Sequence, residues 1–224
     1  VKGLIGKDEV MTAATYSHRE RLDLAALLLA LGPDAPTLCA RWNAADLAAH
    51  LVIRESRPDA ALGILGGPLA SWTQHVQDAT ANLPYPELVA KVRNGPPALS
   101  LFAIPGVDGL ANLFEYFVHH EDLRRGQANW QPRQLPTDFA DLLWSRISKS
   151  SRLLYRKVPV GVVFERTDAI ATTRLVARKG SPSITLRGDV GELVLRSYGR
   201  TAVNLETDGT AAAVAAFNSA PLGI

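Results

Sequence analysis

A single cysteine, Cys39, stands among 224 residues, so the chain forms no internal disulfide, offers no paired-cysteine zinc site and suits a reducing compartment. Long apolar runs are also missing. The longest, around Leu24 to Leu31, is far shorter than the roughly 20 residues a membrane helix needs. The amino terminus lacks the charged, apolar and small-residue order of a secretory signal, and a cytoplasmic chain with no membrane partner is expected. No block of one charge occurs: 24 basic and 22 acidic residues are mixed along the sequence, for a formal charge of +2, which argues against a nucleic-acid partner. There is no glycine-rich phosphate loop and no nucleophile elbow, so nucleotide and serine-hydrolase readings have no support. Methionine occurs once, at Met11. The preceding Val1 to Val10 carry no clear periodicity and read as an appended or upstream extension outside the fold.

What is present is 47% hydrophobic, enough to bury one large domain or two small ones. Abundant alanine, and arginine in preference to lysine, hint at a GC-rich bacterial genome. Ser17 to Leu31 reads as a first helix stopped by Gly32 and Pro33, and Asn43 caps a second that runs through His50 to about Ser56, closed by Pro58. Leu69 to Ala81 and a short stretch after Pro86 are helical. Gly95, Pro96 and Pro97 then force an irregular connection through Ile104, Pro105 and Gly106, of a kind that wraps a pocket mouth. Asp108 is the expected cap of the next helix, with Arg124, Arg125 and Gly126 at its end. Thr137 starts a last long helix with Phe139, Leu142, Leu143 and Ile147 on one face, continuing toward Leu154. Beyond Pro159 the period changes to alternation, with strands expected at 160–166, 172–177, 183–186 and 202–206, helical pieces at 191–198 and 210–218, and a turn at Asp208 and Gly209. An all-α part followed by a small α+β part, divided near residues 157/158, is the simplest account.

Glu115 and His119 lie four residues apart in the helix after the irregular connection, one above the other on a single face, where both can reach one ion. His50 shares an inward stripe with Leu47 and Leu51. Together the three make a two-histidine, one-glutamate donor set, which leaves a tetrahedral metal one open position, the mark of a catalytic rather than a structural site. The same i, i+4 spacing also occurs as a solvated helix pair, and a lone inward histidine is more often a hydrogen-bonded core residue.

Trp42, Asp46, Leu47 and His50, with Glu115, His119 and Asp122, carry a resemblance from Met11 to the end of the chain. They resemble the DinB-like superfamily of metal-binding four-helix bundles, in the branch containing mycothiol-dependent maleylpyruvate isomerase. Residues 32–42 and 115–125 are similar to an actinobacterial subfamily named for metal binding and not for a reaction. The resemblance implies a metal-binding bundle over 11–157 and a small sterol-carrier-like domain over 158–224. It further implies a divalent metal, usually zinc, on His50, Glu115 and His119, with water or the thiol of a cofactor such as mycothiol at the open position. The implied chemistry is attack of the thiolate on a small unsaturated or halogenated electrophile, giving an adduct or, after bond rotation and thiol loss, an isomer. The isomerase also uses an arginine of its second domain, for which Arg196 and Arg200 are the candidates here.

Asp122 and Asp46 are spaced to receive an imidazole N–H from His119 and His50 or, alternatively, to be surface charges. His120, rotated by about 100° from its neighbour, cannot take the same place and is expected at the surface or behind the ligands. Arg54 either binds a substrate carboxylate or pairs with an acid. Cys39 reads as a small buried hydrophobe rather than a nucleophile. His18 and His75 are expected in solvent, and Tyr116, Phe117, Trp72 and Trp144 in the bundle packing. Three functions stay open at this point: a thiol-using transferase or isomerase, a non-catalytic metal- or ligand-binding protein, and a metal-assisted hydrolase that needs no thiol. Zinc and nickel both suit two imidazoles and a carboxylate.

Overall fold

The computed structural model describes residues 12–61, 63–64, 67–96 and 107–222. Val1 to Val10 and most of the irregular connection read at Gly95 to Gly106 lie outside the described residues. The helices α1 (Ala13–Leu31), α2 (Ala44–Ser56), α3 (Pro58–Ala61), α4 (Ala70–Ala81), α5 (Tyr85–Asn94), α6 (Val107–Arg125) and α7 (Thr137–Leu154) come first. The strands β1 (Gly161–Arg166), β2 (Thr173–Arg178) and β3 (Ser183–Gly188) follow, then α8 (Val190–Ser197), β4 (Glu206–Asp208) and α9 (Ala211–Asn218). No described helix is long and apolar enough to cross a membrane.

Local signals explain most boundaries. The side chain of Thr12 accepts the N–H of Thr15, so α1 begins four residues before Ser17. In α2 the Asn43 side chain accepts the N–H of Asp46 while the Asp46 carboxylate accepts that of Asn43, a reciprocal cap worth about 1 kcal/mol. Pro58 does not end the helical stretch outright, because its backbone opens the single turn of α3. The expected cap Asp108 is already the second residue of α6.

Two apolar cores share α6. Leu24, Leu28, Leu47, Leu51, Leu88 and Val92 pack around Tyr116 and Leu123 between α1, α2, α5 and α6. Leu113 and Phe117, on another side of α6, join Phe139, Leu143, Ile147, Phe164, Leu193 and Phe217. α7, read as the last helix of the α part, thus contributes to a core with the sheet. From Asn112 to Leu123 every residue of α6 is buried except Glu115.

The sheet has the order β2-β1-β3-β4, with β1 and β3 parallel and the outer pairs antiparallel. Gly161 and Gly180 let the β2–β3 crossover pass close to β1, since a Cβ on Gly180 would lie 2.6 Å from the Gly161 nitrogen. The expected strand 202–206 is corrected: pairing starts only at Glu206. Ahead of it the Ala202 carbonyl accepts from Arg125 at 2.6 Å and the Asn204 N–H donates to Glu192 at 2.7 Å, so buried side chains take groups a ladder would need. Asp208, read as a turn residue, ends this strand. Trp72 is also corrected: it is 46% exposed, with its indole N–H donating to Asp59 at 3.3 Å. Tyr116 and Phe117 are buried and Trp144 packs against the second core, as expected. His18 and His75 are exposed.

Candidate metal centre

A helix buried on all sides must satisfy every polar group it carries, because an unpaired buried charge costs several kcal/mol. The run from His119 to Asp122 meets this demand with four different partnerships. His119 Nδ1 lies 2.9 Å from Asp122 Oδ2, and His120 Nδ1 lies 2.8 Å from Glu20 Oε2 on α1. Glu121 accepts from Arg124 and Arg125, and Asp122 from Arg200. Arg125 continues to Glu192 on α8 at 2.5 Å.

His50, Glu115 and His119 converge. His50 Nε2 is 3.1 Å and His119 Nε2 3.3 Å from Glu115 Oε1, and the three donor atoms lie within 4.8 Å of one another. Donors about 2.0–2.2 Å from a tetrahedral ion sit roughly 3.3–3.5 Å apart, so these spacings fit the edges of such a coordination sphere. The residue types fit zinc chemistry as well. His50 is buried against Trp42, ring centroids 4.9 Å apart, while the Glu115 side chain keeps 23% of its surface exposed and marks the side open to solvent.

The electrostatics differ between the two imidazoles. Burial, added to by the His119 and Arg54 charges, holds the His50 pKa below its ordinary value against the pull of Glu115. Burial also opposes the charged form of His119, but hydrogen bonds to Asp122, Cys39 and Glu115 outweigh it and raise that pKa well above the ordinary value. Burial would raise Glu115, yet its contacts with His119, His50 and Arg54 hold it well below the usual carboxylate range. Arg54 pairs with the nearby acid: its Nε lies 3.4 Å from Glu115 Oε1, and its Nη1 donates to Asn112.

Asp122 is fully buried and accepts from Arg200 Nε at 2.8 Å and Nη2 at 2.5 Å. Burial acts against its charge, but Arg200 and His119 keep it ionised far below the usual range. Of the two candidate arginines of the α+β part, Arg200 thus reaches the carboxylate behind His119. Arg196 lies instead over the ring of Phe217.

Three expectations are corrected here. Asp46 closes the α2 capping box, a third alternative to orienting His50 or being a surface charge, because its position three residues after Asn43 is the one from which it reaches the cap N–H. His120 is buried with Glu20 and Arg133, since the rotation by about 100° turns it toward α1. Cys39 is half-buried in polar company, not a core hydrophobe: its Sγ lies 3.2 Å from Asp122 Oδ2, 4.0 Å from His119 Nδ1 and 3.7 Å from Arg200 Nη2. Its position follows from Gly126, where a Cβ would come within 2.2 Å of the Pro36 carbonyl, and from the Leu38 N–H, which donates to the Asp122 carbonyl at 3.0 Å. Gly126 therefore serves close approach and not a positive-φ helix end. Cys39, His119 and Asp122 form a second convergent donor group that shares His119 with the first.

Sequence reading missed the polar seam behind Glu115. Glu55 on α2 accepts from both terminal nitrogens of Arg21 at 2.6 and 2.7 Å, from Tyr116 at 2.8 Å and from Asn112 at 3.0 Å. Helical period carries a signal for it: Arg21 shares a stripe with Leu24 and Leu28, and Glu55 with Leu51.

No protein-family model matches the chain, and no curated protein matches it. Two solved structures share its fold. One is the mycothiol-dependent maleylpyruvate isomerase, 15% identical with a TM-score of 0.56, over 88% of this chain and 91% of that one. The other is a histidine-to-alanine mutant of that isomerase, 14% identical with the same TM-score and coverage.

Proposed function

We propose that the chain is a metal-dependent enzyme that uses a small thiol, with His50, Glu115 and His119 as the metal ligands and a small electrophile as substrate. The observation that carries this reading is the convergence of the two imidazoles on Glu115, the partly exposed residue of an otherwise buried stretch of α6. A divalent cation held there, zinc with nickel as the alternative, would lower the pKa of a thiol or water at its open position. The likeness in fold to a mycothiol-dependent isomerase supports a thiol, mycothiol in the first place, over water. Thiol attack at an electrophilic carbon then gives an adduct or, after rotation and thiol loss, an isomer.

The chain's own residues prepare the ligands. Asp122 keeps a proton on His119 Nδ1 and so aims Nε2 at Glu115. Arg200 holds Asp122 ionised, and Arg54 with Asn112 fixes the Glu115 side of the site. The division into a DinB-like bundle at 11–157 and a sterol-carrier-like part at 158–224 belongs to the same proposal, and the reach of Arg200 from the second part to Asp122 on α6 agrees with it.

Metal content per chain, measured on protein purified without chelator or nickel resin, tests the site. About one ion on the native chain and none on His50→Ala is the expected result, and no metal on either ends the metal reading. Turnover of a maleylpyruvate-type electrophile that requires added thiol is expected of the loaded protein. Hydrolysis without thiol would replace the transferase reading with the hydrolase, and metal binding without turnover would leave a binding protein.

A further inference from the structure

Among the described residues the buried arginines are matched to carboxylates with one exception. Arg21 meets Glu55, Arg125 meets Glu121 and Glu192, and Arg166 meets Asp141 and Asp168. Arg196, at the end of α8, is only 9% exposed, yet no carboxylate among the described residues faces it. Its Nη2 donates to the neutral Asn218 Oδ1 at 3.1 Å, and its guanidinium lies 4.5 Å from the centre of the Phe217 ring. A buried guanidinium with neutral partners retains most of its desolvation cost, because an amide oxygen and a ring face replace little of its hydration. In keeping with this, burial pulls its pKa below the usual arginine value, whereas Arg125, Arg133 and Arg166 are raised by their acids.

Arg196 lines a cavity of about 430 Å³ together with Gly199, Thr201, Asn218, Ala220 and Leu222. That volume is in the range of small-molecule sites. Gly199 shapes it: at φ 84° the chain turns back, and a Cβ there would come within 3.2 Å of the Leu222 carbonyl that forms the opposite wall. Thr201 and Asn218 offer hydroxyl and amide donors beside the guanidinium, while Ala220 and Leu222 are apolar. None of His50, Glu115 and His119 lines this cavity.

We infer that this cavity is a binding site for a small organic oxyanion, a carboxylate or a phosphate monoester, held by the Arg196 guanidinium with its apolar part against Ala220 and Leu222. A planar guanidinium fork takes two oxygens of such an anion at once. The ligand would supply the negative charge that every other buried arginine named above receives from within the chain.

Thermal unfolding of the full chain with butyrate and with inorganic phosphate, each against sodium chloride at equal ionic strength, tests the site. The proposal expects a saturable rise in Tm with at least one probe, retained in His50→Ala and lost in Arg196→Gln. A stronger response to butyrate assigns the carboxylate, and one to phosphate the phosphate ester. Arg196→Lys, which keeps the charge without the fork, should bind several-fold more weakly, and it decides the matter should Arg196→Gln fail to fold. The Nε–H resonance of Arg196 should shift along the same titration curve. A response lost in His50→Ala but kept in Arg196→Gln would place the anion at the metal centre and overturn the proposal, as would no saturable response.

Discussion

Nδ1 of His119 lies 2.9 Å from Oδ2 of Asp122, one helical turn further along α6. Asp122 is ionised and only accepts, so the proton between them belongs to the imidazole. Nε2 is then the nitrogen that faces Glu115 at 3.3 Å, and it carries a second proton whenever His119 is charged. On α2, the desolvated His50 is the neutral partner.

This asymmetry sets the proton balance of metal binding. The His50 pKa is held below and the His119 pKa well above the ordinary value, so loading a divalent ion near neutral pH should release a proton, and His119 is its source. Calorimetric titration in two buffers of different ionisation enthalpy reads that number, and a value near zero would contradict the assignment. The stability signs are opposite for the two forms. The folded-state pKa of His119 is raised, so in the metal-free protein its contribution is full below about pH 6.5 and is lost as pH rises through the folded value. Metal competes with that proton, and the Tm gain on loading should grow across the same interval.

Asp122→Asn should weaken metal binding by about 10–100-fold, the usual cost of removing a carboxylate behind a ligating histidine. The same change lowers the His119 pKa and so eases loss of its proton, which partly hides the effect at neutral pH. Competition with a chromophoric chelator above the native His119 pKa, where proton competition has ended, separates the two. Equal affinities there would show that Asp122 does not orient the ring.

The faces that carry the three proposed ligands were legible in the sequence because they depend on helical period: four residues separate Glu115 from His119, and His50 shares a stripe with Leu47 and Leu51; the meeting of α2 with α6 has no such local pattern. The helix order was legible for the same reason, and the strand texture from the change to alternation beyond Pro159. What escaped depends on contacts between distant segments. The polar role of Cys39 requires Gly126 to admit the Pro36 backbone, a relation across 90 residues that leaves no local pattern. Glu192 and Arg125 shorten β4 by taking its backbone groups, and no propensity in 202–205 signals that. Asp46 reads as an imidazole partner or a surface charge because it lies four residues before His50, a reading that misses the cap it makes with Asn43, three residues before it.

Glu55→Ala should destabilise the fold by about 3–5 kcal/mol, because Arg21, packed 4.3 Å from the centre of the Tyr116 ring, would lose its paired carboxylate while remaining buried. The midpoint of urea unfolding reads the loss. The double variant Arg21→Met with Glu55→Leu removes both charges and should be more stable than Glu55→Ala alone. A cost below about 1 kcal/mol for the single change would mean that Arg21 finds another acceptor.

Arg200 sets its guanidinium against a second group of convergent donor atoms. Cys39, His119 and Asp122 present donor atoms within 4.8 Å of one another, and the Arg200 guanidinium already lies 2.5 Å from Asp122 Oδ2 and 3.7 Å from Cys39 Sγ. A divalent ion there would meet a fixed positive charge and compete for the proton on His119 Nδ1. Arg200→Gln removes that charge and leaves the thiol, imidazole and carboxylate in place. Cadmium titration should therefore give one equivalent on the native chain and a second on Arg200→Gln, accompanied by the ultraviolet charge-transfer band of a cadmium–thiolate bond. Adding Cys39→Ala to that variant should abolish the band. A thiolate band in the native protein would mean that Arg200 does not exclude the ion, and its absence from Arg200→Gln would mean that these donors need more than the removal of one charge to close on a metal.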